Sequence, residues 1–135
     1  MDLDELARAY WAAPPYDEHD HSEGFEKHPF DLIQDLQLDG TDAQLTEMLR
    51  ALALTAPTGR LASIGDQWIA SLEYKFDAEG DTGKSLELLR ATELDAATIV
   101  GILQGFDRGW LRSMGAEQTL AGALSPEHLA SLVGP

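Results

Sequence analysis

The chain has 135 residues, no cysteine, and 24 Asp+Glu against 9 Lys+Arg, a formal charge of −15 at pH 7. That length fits one domain with a substantial core, and 44% hydrophobic residues is a globular composition rather than that of a disordered acidic chain. The lack of cysteine excludes disulfide frameworks, thiol nucleophiles, Cys-based zinc sites and iron–sulfur clusters.

The chain reads almost entirely as helix. Asp2 is placed to cap a first helix whose Leu3, Leu6, Tyr10 and Trp11 share one stripe, and Pro14-Pro15 ends it. Residues 14–28 are polar and acidic without helical periodicity, and read as a loop. His28-Pro29 opens a short helix with Phe30, Ile33 and Leu36 on one side, broken by Asp39-Gly40. Thr41-Asp42-Ala43-Gln44 is a capping box for a helix bearing Leu45, Met48, Leu49, Leu52 and Ala56. After the turn Pro57-Thr58-Gly59, the positions Leu61, Ile64, Trp68, Ile69, Leu72 and Phe76 give another amphipathic helix. It contains Gly65, a sign of close packing or of a break.

A polar loop near 77–84 precedes a short helix over Ser85 to Arg90. Asp95 caps a helix with Ile99, Ile102, Leu103 and Phe106, and Trp110, Leu111 and Met114 continue that face after a bend at Gly105 or Gly109. Ser125-Pro126-Glu127 starts a terminal helix closed by Gly134-Pro135. No stretch alternates with period two long enough for a strand. The expectation is a single all-α domain spanning 1–135, a bundle of about seven helices.

Charge is unevenly placed. Residues 1–48 carry 13 acids and 2 bases, a net of −11, whereas residues 49–135 carry 11 acids and 7 bases, a net of −4. So negative a surface repels phosphate backbones and anionic lipids, which argues against direct nucleic-acid or membrane binding. It attracts a basic protein and speeds the encounter. The start, Met1-Asp2-Leu3-Asp4-Glu5, is acidic where a signal peptide is basic and then apolar, and no apolar run is long enough to span a bilayer. A cytoplasmic protein is expected.

The candidate chemistry is thin. His19 and His21 form an H-x-H pair among carboxylates, a weak zinc or manganese site without the Cys or H-E-x-x-H of common zinc centres. The stretch Asp77 to Ser85 ends in Gly83-Lys84-Ser85 like a phosphate-binding loop, but Ala78 stands where that pattern needs glycine. As a calcium loop it fails too, with Thr82 at the glycine position and Leu88 at the position of the bidentate Glu. Carboxylate pairs Asp31/Asp35 and Asp35/Asp39 are four apart, a spacing that 24 acids produce by chance. No G-x-S-x-G is present, and His128 sits beside a helix cap. The reading is a non-enzyme with no cofactor.

Several short segments together carry a resemblance. They are Ala9-Tyr10-Trp11; Leu45-Thr46-Glu47-Met48-Leu49-Arg50-Ala51-Leu52 running into Ala56-Pro57; Ile64-Gly65 followed by Ile69 and Leu72; and Ile102-Leu103-Gln104-Gly105-Phe106. Over roughly residues 3–106 this pattern resembles an uncharacterised bacterial all-helical domain-of-unknown-function family, immunity-protein-like in character. The chain departs from it at Asp66-Gln67-Trp68, where the family has Gly-Pro-Leu, and in the added loop at 77–84. The resemblance implies a helical fold and supplies no catalytic residue.

The resulting expectation is a protein-binding inhibitor, most concretely an immunity protein that neutralises a toxic effector enzyme through an acidic surface. Its contact residues would be Asp17, Glu18, Asp20, Glu23, Glu26, Asp31 and Asp35, with Tyr16 and Phe25 as apolar anchors. The alternatives are an acidic nucleic-acid mimic that inhibits a DNA- or RNA-binding protein, and a non-catalytic helical adaptor or regulatory domain whose charge keeps it in solution. The sequence leaves the oligomeric state open.

Overall fold

A computed structural model describes residues 3–12 and 29–134, the side chains of 29–32 excepted. The described residues are all-α. In chain order the elements are α1 (Leu3–Ala12), α2 (Pro29–Asp39), α3 (Asp42–Thr55), α4 (Leu61–Ile64), a π-helical turn (Gly65–Ile69), α5 (Ala70–Ala78), α6 (Lys84–Ala91), α7 (Ala96–Leu103), α8 (Arg108–Ser113), α9 (Ala116–Thr119) and α10 (Pro126–Val133). Apart from one isolated bridge between Ala121 and Leu124, the described residues contain no β-structure.

The helix starts follow their capping residues. Thr41 Oγ1 accepts from the Gln44 N–H at 3.2 Å while Gln44 Oε1 accepts from the Thr41 N–H at 2.9 Å, completing the expected capping box of α3. Asp95 caps α7 through the Thr98 N–H and Asp107 caps α8 through the Trp110 N–H, each at 2.8 Å. The Asp107 cap places the expected break between α7 and α8 at Gln104–Asp107, and Gly109 lies inside α8. The polar loop is shorter than expected: α5 runs through Asp77 and Ala78, and Gly83, with φ +88°, turns the chain directly into α6.

The core is one cluster drawn from Leu6 through Val133. Helix α3 is its spine: Leu45, Met48, Leu49 and Leu52 are buried, α1, α2, α4 and α6 pack around it, and the Trp11 indole donates to the Leu52 carbonyl at 3.0 Å. Helix α10 closes the far side against α7, α8 and α9. Basic side chains tie helix ends to one another. Lys75 Nζ donates to the carbonyls of Gln37 and Leu38 in the last turn of α2, Arg50 to Thr92 beyond α6, and Arg90 to Thr119 in α9. Cations at helix C-termini are favourable against the negative end of the dipole.

From Leu61 to Ala78 the chain is one continuous helix interrupted by the π turn. Ile64, Trp68, Leu72 and Phe76 are all buried, four residues apart. In an α-helix each step of four overshoots a full turn by about 40°, so such a stripe drifts off the core. One wider turn with i→i+5 bonding holds it in place, as in the bond from the Ala70 N–H to the Gly65 carbonyl.

Candidate functional site

Of the expected contact residues, Tyr16, Asp17, Glu18, Asp20, Glu23, Phe25 and Glu26 lie outside the described residues, as do His19 and His21. Asp31 is placed on α2 by its backbone alone, and Asp35 is exposed one turn further along, with exposed Asp39 another turn on. Among the described residues the acids of the first third are spread over α1 (Asp4, Glu5), α2 (Asp31, Asp35, Asp39) and α3 (Asp42, Glu47). Every described Asp and Glu side chain is exposed except Glu73.

Helix α2 forms one wall of a cleft of about 380 Å³, with α1 and the π turn as the others. Ile33 and Trp68 are its buried apolar members. The remaining side chains are polar. The half-buried Tyr10 hydroxyl donates to Gln67 Oε1, and Gln37 Nε2 donates to the Gln67 carbonyl at 3.3 Å. Gln34, Asp66 and Ser71 are exposed around them. The π turn presents Asp66 and Gln67 here while its Trp68 and Ile69 face the core.

Burial raises the Tyr10 phenol above its ordinary value, an effect that the nearby Arg60 guanidinium partly offsets. A raised folded-state pKa means that the contribution is fully present below the unfolded value near 10 and is lost as pH rises through the folded one. Alkaline unfolding should accordingly include a component that Tyr10→Phe removes, readable by following tyrosinate absorbance alongside circular dichroism.

The Gly83-Lys84-Ser85 sequence does bind an anion, one from the chain itself. Glu73, 1% exposed, accepts from the Gly83 N–H at 2.7 Å, the Ser85 hydroxyl at 2.8 Å and the Ser85 N–H at 3.4 Å. Its carboxylate thus occupies the N-terminus of α6, where a phosphate would sit in a nucleotide-binding loop. Beside it, Lys84 Nζ bridges to Asp42 at 3.2 Å and lies 4.9 Å from the Phe76 ring centroid. The hydrogen bond to Asp42 raises the Lys84 ammonium above its usual value, with Asp81 and Glu79 adding to it. Sequence reading missed Glu73. The available signal was a carboxylate four residues after Ile69 and one after Leu72, on the apolar stripe.

Ser125 Oγ lies 3.0 Å from His128 Nδ1, but the same oxygen accepts the His128 N–H at 3.2 Å as the N-cap of α10. That pair is a helix cap. Among the described residues no group of three or more His, Asp or Glu side chains is placed to hold a metal, and no helix is long and apolar enough to cross a membrane. Among the described side chains Tyr10, Trp11, Trp68, Phe76, Phe106 and Trp110 are buried or packed against the core, whereas Tyr74 is 70% exposed and leans on Trp110 with ring centroids 5.1 Å apart. No protein-family model, curated protein or solved structure matches the chain.

Proposed function

We propose that this protein is a protein-binding inhibitor working in the cytoplasm, most concretely an immunity protein that blocks a toxic effector enzyme with a basic surface. The observation that carries this reading is the segregation of charge. Among the described side chains all acids but Glu73 are exposed; of the bases, Lys75, Arg50 and Arg90 donate to backbone carbonyls, Lys84 is paired to Asp42, and Arg8, Arg60, Arg108 and Arg112 are exposed. With 16 exposed acids against 8 bases among the described side chains, the outward face is net negative, and a basic cleft on a partner complements it. Of the expected contact residues, those that fall in a described helix, Asp31 and Asp35, are on α2, where Asp39 follows one turn further on.

The test is a pull-down from source-cell lysate at low and high salt, followed by kinetics on the captured protein. A basic enzyme released by salt and inhibited by the chain is the expected result. Changing Asp17, Asp31 and Asp35 together to Lys should slow association about tenfold or more and flatten its salt dependence, with the circular dichroism spectrum unchanged. Unchanged association would place the interface elsewhere. Capture of a nucleic-acid-binding protein whose DNA or RNA competes with the chain would favour the mimic instead.

A further inference from the structure

No further inference is drawn: the strongest candidate, the surface patch of α5 and α8 where exposed Tyr74 leans on Trp110 and Trp110 on Phe106, is an exposed aromatic face, and nothing in the structure shows what covers it.

Discussion

Gly65→Ala is expected to destabilise the protein by about 3 kcal/mol, or to prevent folding outright, although alanine is the better helix former by about 1 kcal/mol. The opposing effect is steric. A Cβ at position 65 would collide with the Ile102 carbonyl oxygen and lie 3.2 Å from its carbon, and both are backbone atoms of α7 that no rotamer change can move. The same crossing is tight from the other side: a Cβ on Gly101 would come within 2.8 Å of Leu61 Cδ1. Two helices therefore meet through a glycine on each, and the π turn begins at the point of closest approach. Gly105→Ala is the control, since nothing lies within 4 Å of a Cβ there, and it should change stability by less than about 0.5 kcal/mol. Thermal melts by circular dichroism decide the matter. A Gly65→Ala protein that melts higher than the parent would mean that propensity wins and the helices are not in contact at this residue.

The helices were legible because each carries its own local signals. Thr41, Asp95 and Ser125 announce helix starts by side-chain chemistry that acts within three residues, and the apolar stripes of α3 and α7 need no knowledge of the rest of the fold. The π turn was not legible in the same way. A run of Ile64, Trp68, Leu72 and Phe76 at spacing four fits an α-helix nearly as well over so short a stretch, and the wider turn that keeps all four on the core shows only in the folded chain. The extra short helix α9 has a related origin. Gly115, with φ +76°, restarts the chain after α8 where the sequence offers no apolar stripe long enough to be read alone.

The candidate site divides along the same line. Acidity is a property of composition, so a negative surface could be expected from residue types, and Asp35 and Asp39 are indeed exposed on α2. What composition cannot supply is which cations remain available to neutralise it. Lys75 and Arg50 look like ordinary surface residues in the sequence, yet both reach carbonyls about 40 residues away in the chain. The cleft was hidden for the same reason: Tyr10, Gln37 and Gln67 lie on three elements and are joined only by tertiary packing.

Glu73→Ala should cost about 3 kcal/mol and lower the melting temperature by roughly 10 °C for a chain of this size. The carboxylate accepts three hydrogen bonds in a site closed to water, and Gly83 and Ser85, which donate them, are themselves buried. Truncation leaves those donors without partners and removes a negative group from the N-terminus of α6. Glu73→Gln separates the two effects. Its amide oxygen can still accept from Gly83 while its nitrogen donates to a rotated Ser85 hydroxyl, but the Ser85 N–H then faces another donor. An intermediate loss of about 1–2 kcal/mol is expected. A core residue lost for packing alone would loosen the whole bundle evenly. Loss of this cap should instead speed hydrogen exchange first at Gly83 and Ser85, while Leu49 and Leu52 in α3 stay protected to the global limit. Uniform acceleration across all four would show that Glu73 merely fills space, and that the α5–α6 turn is held by its glycine and by Lys84 on Asp42.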